Sequence, residues 1–223
     1  MIYSTLIEGK AYIALFKGLW ATIQISLLAL VLGTLLGAVI CAMRRSRHFI
    51  LRTAASAYIA VLRGTPVLML LLLMYYVVFA RSRMDAVYVA VITFALNTAA
   101  YTAELMRTAL DATDPGQVEA ARTLGFSRWE AFRLITLPQA AEIAAPVYQS
   151  TIVNLIQWTS VVGYVTITDL TRVINQISAR SMQPLMMIIV GIILYLSLAY
   201  AVNGLFALFG MISRKRRNRH ESD

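Results

Sequence analysis

Residues 119–125 read Glu119-Ala120-Ala121-Arg122-Thr123-Leu124-Gly125, and nine residues further on comes Ile135-Thr136-Leu137-Pro138. Chemically this is a short helix whose small residues let another surface approach closely. A flexible break at Gly125 follows, then a second segment that Pro138 is expected to end before the next apolar run. Glu119 can reach a basic or backbone donor on such a partner. An ordinary amphipathic loop helix would look the same, so the residues by themselves leave both readings open.

The surrounding stretch, 107–139, differs from both its flanks. It holds Arg107, Asp111, Asp114, Glu119, Arg122, Arg128, Glu130 and Arg133, with helix-start chemistry in Asp114-Pro115-Gly116. It reads as a pair of short, water-exposed helices. Apolar runs lie on either side. Residues 18–43 are long enough to span a bilayer and end at the basic cluster Arg44, Arg45, Arg47 and His48. Residues 54–80 form a second run interrupted by Arg63-Gly64-Thr65-Pro66, so a clean helix is expected to start near Pro66. The third run is 86–106. The fourth, about 140–167, is broken up by Pro146, Asn154, Gln157 and Thr159 and carries a polar seam. Residues 168–183 read as a loop, and 184–212 as a fifth run followed by a basic tail, 213–223. Residues 1–17 read as an amphipathic N-terminal segment. Met1 to Glu8 contain no basic residue, so no cleaved signal peptide is expected.

Composition agrees with a membrane domain. Of the 223 residues 59% are hydrophobic and 14% charged, an apolar share above the roughly 45–50% of soluble domains. The net charge of +9 sits beside the apolar runs, where it orients spans. No recognition helix or interleaved basic and aromatic surface points to nucleic acid. With the N-terminus outside, thirteen basic residues fall in the 44–53 and 107–139 segments and the tail, against six outside. That positive-inside bias puts the polar loop and the C-terminus in the cytoplasm. The lone Cys41 lies in an apolar run and reads as a packing residue.

The pattern EAA, three residues, G, nine residues, I-x-L-P resembles the signature loop of permease subunits of bacterial ABC importers. In that family the loop forms a coupling helix that docks on an ATPase subunit. The resemblance implies that Glu119, Ala120, Ala121 and Gly125 lie at the contact, with Leu137 and Pro138 shaping the return to the membrane. Arg63-Gly64-Thr65-Pro66, Ala100-Tyr101-Thr102-Ala103-Glu104, Gly116-Gln117 and Pro138-Gln139-Ala140 resemble segments of the polar amino-acid permeases, those for histidine, arginine, glutamine and glutamate. One segment departs. Many members carry Lys-Asp-Thr-Ser-Leu in the fourth span, where this chain has Ile156-Gln157-Trp158-Thr159-Ser160-Val161. The change falls near the expected ligand cavity and leaves the ligand open. Leu96-Asn97-Thr98 and Gln183-Pro184 lean toward the basic amino-acid branch.

Glu104 is an ionisable group within a span, which implies a functional role unless it pairs with Arg107 three residues on. Asn97 and Tyr101 share its face and either line a cavity or bond between helices. Thr65, Gln157, Thr159 and Asp169 are further candidates for a polar substrate path.

No phosphate-binding loop, metal-ligand cluster or catalytic triad is present in the sequence. The expectation is an all-α, multi-pass protein of the bacterial cytoplasmic (inner) membrane, with five spans and the type I ABC importer permease fold. It is not itself an enzyme and holds no cofactor, ATP and Mg belonging to the ATPase. Its implied partners are a second permease subunit, two ATPase subunits, an extracytoplasmic solute-binding protein, an amino-acid substrate and membrane lipid. The rival reading is an ion-gradient-driven secondary transporter or channel, for which Glu104 lacks a second buried carboxylate nearby in sequence.

Overall fold

The computed structural model describes the backbone over residues 11–220 and side chains over 11–208. Residues 1–10 of the expected N-terminal segment, and the side chains of the basic tail 213–223, lie outside the described residues. Among the described residues the chain is α-helical with no strand. Its helices are α1 (Ala11–Arg44), α2 (Phe49–Gly64), α3 (Val67–Leu73), α4 (Ala86–Asp111), α5 (Pro115–Thr123), α6 (Arg128–Ala131), α7 (Leu137–Trp158), α8 (Leu170–Ser181) and α9 (Pro184–His220). Wider π turns extend α3 over Met74–Val78 and join α6 to α7 over Phe132–Thr136. A tight 3-10 segment, Thr159–Val165, follows α7.

Three stretches are long and apolar enough to cross a membrane: α1, α4 and residues Pro184–Leu208 of α9. The pair Phe49–Gly64 and Val67–Val78 makes a fourth if the two count as one broken span. The break sits at Arg63-Gly64-Thr65-Pro66, with helix on both sides of it. Thr65 is extended (φ −103°, ψ 132°), as a residue before proline prefers, and its hydroxyl donates to the Val61 carbonyl at 2.8 Å. The expected fourth span, α7, carries Gln139, Glu142, Gln149, Asn154 and Gln157 and falls below that apolar level.

Among the described residues the helices pack as two compact units, 11–29 with Val67–Phe94 and 152–220, and Leu30–Pro66 with Ala95–Thr151. In the first, Ala11 and Leu15 of α1 pack on Leu170, Val173, Ile174 and Ile177 of α8 and on Met187 of α9. Those α8 positions recur at the spacing of one helical face. Residues 168–183, expected as a loop, therefore carry a twelve-residue helix with one buried face. Gly18 lets α1 approach: a β-carbon there would lie 2.9 Å from the Asp169 carbonyl oxygen.

In the second unit Ile40 and Cys41 of α1 pack with Ala55 and Ile59 of α2 and with Ala99 and Ala103 of α4. Cys41 is a buried packing residue there. Gly33 and Gly37 of α1 face Thr98 and Thr102 of α4. A β-carbon at 33 would lie 2.8 Å from Thr98 Cβ, and one at 37 would lie 2.9 Å from Thr102 Cβ. This is small-residue packing, in which missing side chains let helix backbones approach. The Thr34 hydroxyl also bonds the Tyr148 hydroxyl of α7 at 2.6 Å.

Pro138 does not end its segment. The chain runs helically from α6 through the π turn into α7, with Pro138 as the second residue of α7. A proline ring clashes with the carbonyl four residues back and has no N–H to offer. The π turn relieves this, and Leu137 N–H bonds the Phe132 carbonyl five residues back.

Candidate functional site

The loop between α4 and α7 is built from strong local signals. Asp114 caps α5, accepting the Gly116 N–H at 2.9 Å, with Pro115 in the first turn. At the other end Phe126 N–H returns to the Ala121 carbonyl at 3.2 Å and Gly125 N–H to that of Arg122 at 3.2 Å. This pair of bonds is the Schellman closure, and it needs a left-handed residue at Gly125, whose φ is +93°. Arg122 tightens the turn by donating to the Phe126 carbonyl at 2.6 Å. Ser127 then caps α6 reciprocally with Glu130. The Ser127 N–H donates to Glu130 Oε2 at 2.7 Å, and the Glu130 N–H to Ser127 Oγ at 3.2 Å. The Ser127 backbone N–H holds the Glu130 carboxyl below the usual carboxylate range. Gln139 donates to Gln117 at 2.7 Å, tying the start of α7 to α5.

Glu119 and Ala120 are exposed, Ala121 is buried, and Gly125, Leu137 and Pro138 are exposed. The turn thrusts out apolar side chains that sequence reasoning did not single out: Leu124 is 79% exposed and Trp129 66%, with Trp129 stacked on Phe132. Two short capped helices around an exposed apolar knuckle, with one carboxylate beside small residues, form a surface suited to docking on a protein. The signal for Ser127 and Glu130 was in the sequence, as the capping-box spacing Ser127-Arg128-Trp129-Glu130.

Four of the polar candidates belong to the second unit. Glu104 is engaged by Arg107 through two bonds, Nη2 to Oε1 at 2.6 Å and Nε to Oε2 at 3.1 Å. Arg107 also donates to Asp111 at 2.8 Å. Tyr101 presents its ring to the Arg63 guanidinium, 5.1 Å from the ring centre. Asn97 is buried at 2% exposure and its Oδ1 has no hydrogen-bond partner. Thr65 is occupied at the helix break. Burial thus falls along one face of α4, from Asn97 through half-buried Tyr101 and Glu104.

The other three belong to the first unit. Gln157 is exposed, whereas Thr159 and Asp169 are fully buried. Thr159 donates to the Ile156 carbonyl at 2.7 Å. Asp169 caps α8, accepting the N–H groups of Thr171 (3.0 Å) and Arg172 (3.1 Å). Burial pushes its carboxyl up, and those N–H bonds pull it partly back. Arg172 donates to the Gly163 carbonyl at 3.0 Å, and the Tyr195 hydroxyl meets that of Thr171 at 2.8 Å. The Leu170 N–H donates to the buried Thr22 hydroxyl at 3.3 Å. Asp169 therefore organises a helix start, a role the sequence reading did not assign it.

Residues 11–211 match the family model described as binding-protein-dependent transport system inner membrane component. The chain is 32% identical over 216 residues to the probable amino-acid ABC transporter permease protein YckA of Bacillus subtilis, covering 96% of this chain and 94% of that one. It is also 32% identical over 229 residues to the octopine transport system permease protein OccM of Rhizobium radiobacter, covering 96% of this chain and 92% of that protein. Among solved structures it is similar to a chain of an amino acid ABC transporter crystallised with histidines. The TM-score is 0.82 at 31% identity, over 92% of this chain and 96% of that one. Helical architecture and apolar spans agree with these relatives, and the chain belongs to the family of binding-protein-dependent transport system inner membrane components.

Proposed function

We propose that this chain is the membrane-spanning permease subunit of an ATP-driven importer of amino acids. The observation that carries the proposal is the exposed loop of α5, the Gly125 turn and α6, which presents the signature residues in a chain of this permease family. The likeness to amino-acid permeases across nearly the whole chain supports the substrate class. Basic amino acids are the branch toward which Leu96-Asn97-Thr98 leans.

The chain performs no hydrolysis. Two partner ATPase subunits bind ATP and Mg, and their closure presses on Glu119, Ala120 and the Gly125 turn, with Ala121 buried behind them. Leu124 and Trp129 fill apolar hollows on the ATPase surface. The push passes through the π turn and Pro138 into α7. A second permease subunit, identical or homologous, completes the pathway, and a solute-binding protein delivers the amino acid from outside. Candidates for a polar path are Thr65, Asn97, Tyr101 and Glu104 in the second unit and, separately, Gln157, Thr159 and Asp169 in the first. The Glu104–Arg107 pair makes a neutral polar surface rather than a free anionic site. The N-terminus lies outside and the C-terminus in the cytoplasm, the arrangement that the thirteen-to-six bias of basic residues supports.

The test is ATP hydrolysis by the co-expressed complex in lipid, with its binding protein and a panel of amino acids, for wild type and Glu119→Arg. Stimulation by one class of amino acid names the substrate, and charge reversal at an intact fold uncouples it. If no ATPase subunit associates and Glu119→Arg leaves transport intact, the proposal is wrong.

A further inference from the structure

The end of α1, the turn that follows it, the start of α2 and the end of α4 border an open cleft of about 440 Å³. It is lined by Arg44, Arg45, Ser46, Arg52, Arg107 and Asp111. Four guanidinium groups meet one carboxylate there. Asp111 is shared between Arg45 and Arg107, and Glu104 takes the rest of Arg107. Arg44 donates through one terminal nitrogen to Ser56, but its Nε is buried with no hydrogen-bond partner. The Arg52 side chain has no ion-pair or hydrogen-bond partner among the described residues. Arg44 and Arg52 have no carboxylate partner among the described residues, and two unneutralised guanidinium groups at one cleft call for an anion. Guanidinium donors match the oxygens of a phosphate in geometry and charge.

The rim identifies the source of that phosphate. Phe49 and Ile50, directly between the turn and Arg52, are 70% and 79% exposed. Apolar side chains beside a basic cleft at the end of a spanning helix are what a lipid offers both halves of: a phosphate for the arginines and acyl chains for the rim. A free phosphate would use only the arginines.

We propose that this cleft binds the phosphate of an anionic phospholipid headgroup, with the acyl chains lying along Phe49 and Ile50. The site is independent of what the protein carries. Its test uses the full chain purified in mild detergent and moved into phosphatidylcholine nanodiscs containing a minor fraction of phosphatidylglycerol. Native mass spectrometry then counts the phosphatidylglycerol retained after release. Wild type is expected to retain it, and Arg52→Gln to lose about tenfold of that retention, the scale of a lost charge-assisted hydrogen bond. Arg47→Gln removes an exposed arginine of the same turn that does not line the cleft, and is expected to change nothing. Phe49→Ser is expected to weaken lipid retention while leaving inorganic phosphate binding, read by phosphorus NMR, unaltered. Thermal unfolding checks that each variant folds, which the unpartnered Arg52 favours. Equal losses for Arg47→Gln and Arg52→Gln would mean general surface charge and overturn the site. Arg52-dependent phosphate binding without lipid retention would overturn the lipid assignment.

Discussion

Replacing Gly125 by alanine isolates the backbone conformation of the loop from everything else about it. A β-carbon at this position meets no atom within 4 Å, so no clash arises. The whole penalty is that of holding an L-residue at φ +93°, roughly 1–2 kcal/mol. That strain falls on the two closing bonds, Phe126 N–H to Ala121 and Gly125 N–H to Arg122. Their opening constant should rise by a factor of about 5–30. Hydrogen–deuterium exchange of the purified full chain, followed on peptides covering 115–136, reads this directly. Faster exchange should be confined to residues 121–126, with spans unaffected. Gly125→Asn should fall between alanine and wild type, because asparagine tolerates the left-handed region better. If alanine and asparagine both exchange like wild type, the turn is not left-handed in the protein and the Schellman account fails.

Gly33→Ala is expected to destabilise by about 1–3 kcal/mol, since its β-carbon meets the branched Thr98 and the Ala95 carbonyl, neither of which can yield; thermal unfolding in detergent measures it. Asp169→Asn should be close to neutral near pH 7 because asparagine caps as well as aspartate, whereas Asp169→Ala should lose about 1 kcal/mol or more. The Asp169 carboxyl is raised by burial, so its contribution is full below the unfolded value and lost as pH rises through the folded one. Wild type should accordingly gain on Asp169→Asn in thermal stability between neutral pH and about pH 4; a pH-independent difference would refute this. Ser127→Ala should loosen α6 by about 1 kcal/mol, read from Trp129 fluorescence with Trp20 and Trp158 replaced by phenylalanine. Glu130 is depressed by the Ser127 N–H, so its half of the cap holds above the ordinary carboxylate value and fails as pH falls through the lower one.

Hydrophobic runs marked α1, α4 and α9, because length and apolarity are sums over many residues and survive local uncertainty. The loop helices and Gly125 were legible too, since capping and left-handed glycine are local chemistry. The Glu104–Arg107 pair was one of two alternatives left open, and the two side chains, three residues apart, do pair. α8 was missed because twelve residues with Asn, Gln and two arginines look like a loop in bulk. The pattern Leu170, Val173, Ile174, Ile177 was visible, but only its partners in α1 and α9 give it weight. Pro138 misled for a physical reason: proline normally ends a helix, and the π turn that relieves it has no signature in the sequence. The burial of Thr159 and Asp169 depends on how distant segments meet, which no local pattern encodes.

The threonine methyls seated in the notches left by Gly33 and Gly37 act as a ratchet with its pawl engaged. Sliding α1 along α4 by even one residue would drive a β-branched side chain into backbone, and rotating either helix would strand the pair of notches. These stretches of α1 and α4 are therefore a single machine part. Any alternation of the protein between two shapes must carry them together and find its play elsewhere, in joints such as the π turn ahead of α7.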